Sequence, residues 1–498
     1  MDRRKFIKNT TAAMALPFWL QGCDFFSKNN FPIHVHSDYK IGHLVMHSQK
    51  WDRRTDDRVD TVIVGGGLAG LSSALKLEDT NFRLFELSNR LGGTSAAIGH
   101  AGALFSQGAH YDMAYPETSG GEVLSLLEQL NIIKYQSWNK CWSFLDQQHI
   151  IPKTKRQQCY ENGRWRKEVI EEGIEKEQLF QFLSQFEGAM HLPTRLIDDQ
   201  FRYLNDQTFI EYLNQNIEIT PSLKRQIDYH MLDDWGGTSD MVSALAGVHY
   251  YMCRQYQRQS VDLFSPPEGN FYFARKMIDL LPEDKLLKNH LVSKIEKDGR
   301  GFIVETLDVV KKQVVTTPCN HVIYAGQKQS LNYVFPEEAH LFNHSQAPWM
   351  VINVVCRREE VKFGFWQNEY IGENQSFLGF IDSSVQKQQL DGYRIITAYY
   401  CLKPEERNYL VTIPEHKEKI VEETLTYIEE MLNEKLDVES CYINVMGHAM
   451  AIPQKGFLFN DANDKDVSLI YSGVDNARLP LLFEAIDSGL KAADLALL

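Results

Sequence analysis

The chain has 498 residues, 43% hydrophobic and 24% charged, with a formal net charge of −14. That length supports a large buried core and more than one domain, and the ordinary globular composition excludes collagen-like, coiled-coil and disordered chains. The excess of acid argues against a general nucleic-acid or anionic-membrane binder.

The first 23 residues, MDRRKFIKNTTAAMALPFWLQGC, read separately from the rest. Arg3 and Arg4 open a basic stretch, and an apolar run follows from Thr10 to Leu20. That run is too short to span a bilayer, which needs about 20 residues. A charged start, a short apolar middle and a small residue before a cut form a secretory pattern. Arg3-Arg4-Lys5-Phe6-Ile7-Lys8 resembles the twin-arginine signal of the folded-protein exporter. Leu20-Gln21-Gly22-Cys23 resembles a lipoprotein box, which implies acylation of Cys23, and Asp24 resembles an inner-membrane retention residue. The resemblance implies an exported, periplasmic protein on the bacterial inner membrane, attached by lipid alone. The alternative is a basic amphipathic N-terminus with no sorting role. Residues 24–58 read as a polar tether and irregular lead-in.

Residues 59–97 read strand, helix, strand. Apolar spacing predicts helices over 122–131, 174–190, 206–216 and 415–432. Short strands are expected within 285–325, at 351–356 and at 394–401, and the chain closes on a strand, SLIYSGVD, and a helix, EAIDSGLKAADLALL. The pattern predicts an α/β protein. Its doubly wound dinucleotide domain is assembled from 59–120, 285–335 and 466–498. A mixed helical and antiparallel-sheet substrate domain takes 121–284 and 336–465. None of the eight cysteines forms a C-x-x-C pair, and no metal-ligand spacing is present, so buried, inert thiols are expected.

The chemistry starts at Val62-Ile63-Val64, an apolar run suited to a buried parallel strand. Gly65-x-Gly67-x-x-Gly70 follows at once. Gly65 permits a tight turn, Gly67 lets backbone approach a pyrophosphate, and Gly70 lets the helix pack close to the strand. The N-terminus of that helix offers N–H groups and a positive dipole end to phosphate. Glu86 ends the second strand about 20 residues on, where a carboxylate accepts from a ribose hydroxyl.

The residues after Glu86 narrow the choice. Arg90-Leu91-Gly92-Gly93-Thr94 resembles the Arg-x-Gly-Gly-Arg segment of the flavin amine oxidase superfamily, which includes amine oxidases, protoporphyrinogen oxidases and carotenoid desaturases. Thr94 stands where that family has its second Arg. Gly108 and Ala109 match the segment beside the flavin ring, Val292 the position whose backbone meets adenine, and Asp475 the acidic residue on the ribityl chain. Ser488-Gly489 matches the mark of the closing helix. The resemblance implies FAD as cofactor, and implies that the closing helix begins near Phe483, Glu484 and Ala485 with N–H groups directed at the flavin pyrimidine edge. It spans about 59 to 498 and is carried by nucleotide-side segments.

On the substrate side it thins. Leu481 stands where amine oxidases carry an aromatic residue, and Gln327 and Asn332 occupy the Pro and Lys positions of the water-holding loop. Lys328 is offset and reads as a solvated loop lysine. His110, Tyr111 and His448 are the catalytic candidates, each with packing or a structural hydrogen bond as its alternative role. Asp233-Asp234-Trp235-Gly236-Gly237-Thr238 reads as a turn that either lines a pocket or leads into a helix capped by Ser239 or Asp240. Tyr250-Tyr251 and Tyr399-Tyr400 read as core or strand faces.

The expected function is an exported FAD-dependent oxidoreductase that takes a hydride from a C–H bond of a small organic substrate, such as an amine or polyamine. Oxygen or a membrane carrier would accept the electrons, with no nucleic-acid partner and no metal. Two alternatives stay open: a dehydrogenase or desaturase of an apolar or cyclic compound, and a non-catalytic flavoprotein acting in binding or assembly.

Overall fold

The computed structural model describes residues 31–108, 110, 120–253, 262–299, 301–357, 364–386 and 392–498. Val59–Val64 buries five of its six residues, as a strand covered on both faces must. It lies between Phe82–Glu86 and Gln313–Tyr324, parallel to both. The full sheet takes the order Leu286–Lys288, Phe82–Glu86, Val59–Val64, Gln313–Tyr324, Gly301–Asp308, His290–Asp298. The first four strands are parallel and the last two turn back antiparallel. Asp52–Thr55 and Ile470–Tyr471 also pair with Gln313–Tyr324, both in parallel. With helix Leu68–Lys76 joining Val59–Val64 to Phe82–Glu86, the sheet is doubly wound α/β.

Helix Leu68–Lys76 meets the closing helix Leu482–Leu497 backbone to backbone. Ser72 Oγ donates to Ile486 O at 3.1 Å and Ser73 Oγ to Gly489 O at 2.9 Å. A Cβ on Gly489 would sit 2.1 Å from Ala69 O and 2.1 Å from Ser72 Oγ. No side chain fits between the two helices there.

The second sheet has the order Ile33–His36, Val438–Ala451, Gln346–Arg357, Tyr393–Cys401, Phe377–Asp382, Gln367–Ile371, Gln157–Glu161, Arg164–Arg166. Its two faces separate by the period of two along each strand. Met350, Ile352, Val354 and Cys356 pack on Ile420, Val421 and Ile428 of helix Ile413–Leu432. Trp349, one residue out of phase, joins the main core with Leu245 and Trp235. That inner face carries the polar and aromatic residues considered below.

Several expectations are corrected. Residues 31–58 are not an irregular lead-in: Ile33–His36 and Asp52–Thr55 are strands, one in each sheet. Their partners lie hundreds of residues downstream, which local periodicity does not register. The last of the short strands expected within 285–325 is a long one, Gln313–Tyr324. Asp233, Asp234 and Trp235 are not a turn but the last turn of helix Pro221–Trp235, which ends on Gly236 at φ +70°. The next helix is Ala244–Cys253, and the Ser243 hydroxyl accepts from Ala246 N. Ser239 instead hydrogen-bonds Asp228, and Asp240 pairs with Lys224. Cys141 is half-buried and the other six described cysteines are buried, with no disulfide between any two of the seven. Among the described residues no helix is long and apolar enough to cross a membrane.

Replacing Gly by Ala inside a helix ordinarily gains about 1 kcal/mol, whereas forcing atoms into a packed contact costs about 1–3 kcal/mol. The obstacle at Gly489 is backbone, so the second effect wins. Gly489→Ala is expected to lower the urea midpoint, with a net loss of up to about 2 kcal/mol; a raised midpoint would show that the helices can separate freely.

Candidate active site

The glycine turn has the geometry its sequence requires. Gly65 adopts φ +100°, and a Cβ there would meet Ala325 C and Gly326 N at 3.0 Å. A Cβ on Gly70 would lie 1.9 Å from Gly65 O. Gly67, the N-cap of Leu68–Lys76, faces open space, its nearest obstacle being Gly93 Cα at 3.9 Å. Gly92 and Gly93 adopt φ +112° and +59° and bring the Arg90–Thr94 loop over this turn, with Gly92 N donating to Gly66 O at 2.8 Å. Gly93 and Thr94 are exposed.

Glu86 closes the floor. Its carboxylate accepts from Gly66 N at 2.7 Å and from Ser88 N at 2.8 Å. Burial, which outweighs these bonds, pushes it up to about 7. Arg90 Nη1 donates to Ala97 O at 3.3 Å, while its Nη2 is buried with no hydrogen-bond partner. Asp38 adds its charge to this corner. Burial would raise it, but hydrogen bonds with His36 and Ser88 and the nearby Arg90 hold it below its usual value. Asp38 lies in the segment read as lead-in, and sequence reasoning missed it. An open backbone cradle, a carboxylate beneath it and a buried guanidinium N–H without an acceptor together fit a phosphate-bearing dinucleotide. Val292 is further off, buried among Val62, Val64 and Phe85.

Two expected residues behave differently. Asp475 and Lys328 form a buried ion pair: Lys328 Nζ donates to Asp475 Oδ1 at 2.7 Å, Ser472 O at 2.6 Å and Gly326 O at 3.1 Å. Lys328 N also donates to Asp475 Oδ2 at 3.0 Å. Lys328 is 1% exposed, so it is not a solvated loop lysine. Its partner lies 147 residues away, and nothing in the local sequence announces the pair. At the start of the closing helix, Phe483 packs near Phe273 in the core and Ala485 is half-buried. Glu484 is fully buried and accepts from Thr194 N at 2.7 Å; burial raises it, against the nearby Arg478. Leu481 is buried.

From Gly93 the cradle continues toward the second sheet. A Cβ on Gly108 would lie 3.1 Å from Met446 Cε and 3.5 Å from Thr94 O. Gln107 is tied to the inner sheet face, since Asn444 Nδ2 donates to Gln107 O at 3.2 Å and Gln107 Nε2 donates to Asn444 Oδ1. His110, three residues on from Gln107, meets Tyr399 edge to face at 6.3 Å and Trp366 at 6.4 Å, and Tyr399 meets Trp349 at 6.1 Å. Both His110 ring nitrogens are buried and unpartnered, as are Tyr399 Oη, Trp349 Nε1 and Trp366 Nε1. Burial lowers His110 to about 3, so it stays a neutral imidazole. Tyr399 lies on the inner face of strand Tyr393–Cys401, in keeping with the core or strand-face reading. Ala109, Tyr111 and Cys23 lie outside the described residues. His448 is not brought to His110. Burial takes it to about 4, and the nearby Arg407 guanidinium acts in the same direction. Among the described residues no three metal-ligating side chains gather.

Residues 63–130 match the model of the NAD(P)-binding Rossmann-like domain. No curated protein matches the chain by sequence. Among solved structures, wild-type putrescine oxidase bound to putrescine is 16% identical with a TM-score of 0.62, covering 89% of this chain and all 100% of its own. Cyclohexylamine oxidase from Brevibacterium oxydans IH-35A is 13% identical at 0.62, covering 88% and 98%. A protein assigned as a protoporphyrinogen oxidase, from Exiguobacterium sp. 255-15, is 12% identical at 0.62, covering 90% and 100%. The chain shares the fold of these oxidases along nearly its whole length.

Lys328→Met is expected to cost about 3–5 kcal/mol, because it strands a buried carboxylate. The double variant Lys328→Met/Asp475→Leu should recover much of that loss in urea unfolding. Equal losses in the single and double variants would deny the pairing. For Glu86 the sign runs against ordinary carboxylates. The unfolded chain sheds the proton near 4.5 while the folded chain keeps it to about 7. Its stabilising contribution is therefore full at low pH and is lost as pH rises through that window. Ligand-free Glu86→Gln should show a smaller fall of urea midpoint than wild type between about pH 4.5 and about pH 7. An unchanged fall would place Glu86 outside this role.

Proposed function

We propose that the protein is an exported FAD-dependent oxidoreductase acting on a C–H bond of a small amine. The observation that carries the reading is the continuity of the site. An open glycine cradle over Glu86 leads through Gly93 and Gly108 to a layer of buried aromatic and imidazole groups with unspent hydrogen-bonding atoms. A cradle alone suits any dinucleotide; one that opens onto an aromatic layer suits a cofactor whose reactive ring reaches that far.

The chain's residues divide the task. First-turn N–H groups of Leu68–Lys76 would receive the pyrophosphate, Glu86 the ribose hydroxyls, and Arg90 Nη2 a phosphate oxygen. When bound, FAD supplies a two-electron acceptor for the substrate C–H bond. Trp349, Trp366 and Tyr399 exclude water and give an amine aromatic faces to lie against. His110, neutral across the working range, orients substrate by hydrogen bonding and does not act as a proton acceptor. The neighbours named as putrescine and cyclohexylamine oxidases support an amine substrate. The basic start at Arg3-Arg4 and the Cys23 box support export and lipid attachment at the inner membrane, and an exporter of folded proteins suits a chain that loads its cofactor first. Oxygen or a membrane carrier is the electron acceptor.

The test is the visible spectrum of the full chain made in flavin-replete cells, followed by anaerobic addition of amines. Bound flavin that bleaches with an amine is expected. Colourless protein that takes up no added FAD would end the reading. Flavin bleached by a cyclic or polyene donor and by no amine would replace the substrate class.

A further inference from the structure

Residues 31–58 precede the first strand of the dinucleotide domain, and the function proposed above gives them no task. They cross from one sheet to the other. Ile33–His36 pairs with Cys441–Asn444 in the second sheet, and Asp52–Thr55 with Gln313–Thr316 in the first. Between these anchors the chain makes two short helical turns, Tyr39–Gly42 and His43–Met46. Ile41, Leu44 and Trp51 pack on a cluster that contains Leu291 and Leu307, and Leu87 packs on the same cluster. Leu87 follows Glu86, whose place at the end of the second strand marks the ribose end of a dinucleotide site. The crossing therefore runs along that end of the cradle.

Polar contacts set Asp38 there. Ser88 holds two carboxylates at once: its N donates to Glu86 Oε1 at 2.8 Å, and its hydroxyl bonds Asp38. On its other side Asp38 faces His36 Nε2 at 3.5 Å, and its backbone O accepts from Ile41 N at 3.1 Å and Gly42 N at 2.9 Å. Arg90 is the near positive charge, with its Nη2 buried and unpartnered. Glu86 has given one lone pair of each oxygen to Gly66 N and Ser88 N and keeps another on each. Asp38 and Glu86 repel as like charges, and donors placed between them relieve that. A ribose diol brings two O–H donors, one for each carboxylate.

We propose that residues 37–51 are a strap over the adenosine end of the cofactor site, with Asp38 and Glu86 sharing the ribose hydroxyls, so that a bound dinucleotide leaves only when the strap lifts. This rests on the cofactor reading above. The strap's residues are half-buried or exposed, and helical turns this short do not hold by themselves in water. Its closed form depends on what lies beneath it, and the ligand's residence depends in turn on the strap.

Hydrogen exchange of the full chain tests this, with the flavin-stripped protein alone, with FAD, with ADP and with inorganic pyrophosphate. FAD and ADP at about ten times their dissociation constants should slow exchange over residues 38–47 about tenfold, because opening and binding exclude each other. Pyrophosphate, which reaches only the glycine turn, should leave the strap's exchange unchanged. ADP should likewise leave helix Ile413–Leu432, on the outer face of the second sheet, unchanged. Asp38→Asn should weaken ADP binding about tenfold, the scale of one charge-assisted hydrogen bond. A strap that ADP does not slow overturns the proposal, as does equal protection by pyrophosphate or full ADP affinity in Asp38→Asn. Protection by ADP in a chain that takes up no FAD keeps the strap and removes the flavin reading. Bound, coloured FAD over a strap that exchanges as fast as in the stripped protein does the reverse.

Discussion

Two backbone contacts hold the nucleotide half of the molecule together. Gly70 lets helix Leu68–Lys76 lie on the turn at Gly65, and Gly489 lets the closing helix lie on Ala69, with room for no methyl group at either point. Side-chain packing tolerates substitution because side chains find other rotamers. A carbonyl oxygen held in a strand or helix has no such freedom. The position of the glycine cradle, and so of everything that opens from it, follows from these two approaches.

The second sheet is joined to the cradle by polar bonds rather than by bulk. Gln107 and Asn444 exchange hydrogen bonds across the boundary, and Asn353 accepts from Thr397 beside them. All four residues are at most 5% exposed. Buried polar bonds fix a register more sharply than apolar contact does, since a slip leaves every partner unsatisfied. This is the means by which His110 is set against Tyr399 and Trp366 rather than elsewhere on the face.

What the sequence revealed and what it concealed divide along the same line. The glycine turn, Glu86 and the Arg90–Thr94 loop were legible because their chemistry lies in consecutive residues. Helix Ile413–Leu432 was legible because one periodic face carries its burial. Lys328 was misread, since a lysine among Gln and Ser beside a glycine looks solvated until Asp475 is placed beneath it. Asp38 and Trp366 gave no signal at all. Trp366 takes its meaning from strand order, which sets the adjoining strand Gln367–Ile371 beside Gln157–Glu161. The early strands failed for the same reason, Ile33–His36 having its ladder partner at Cys441–Asn444.

That last pairing bears on how the molecule is made. A ribosome delivers Ile33 long before Cys441, and Ser73 long before Gly489, so the first residues to emerge wait for the last. Neither sheet edge nor helix pair can be closed on a nascent chain, and contacts of such sequence separation form slowly. Assembly is therefore a post-translational event of the whole chain, and loss of helix Leu482–Leu497 would leave the early helix Leu68–Lys76, far from the deletion in sequence, without its partner.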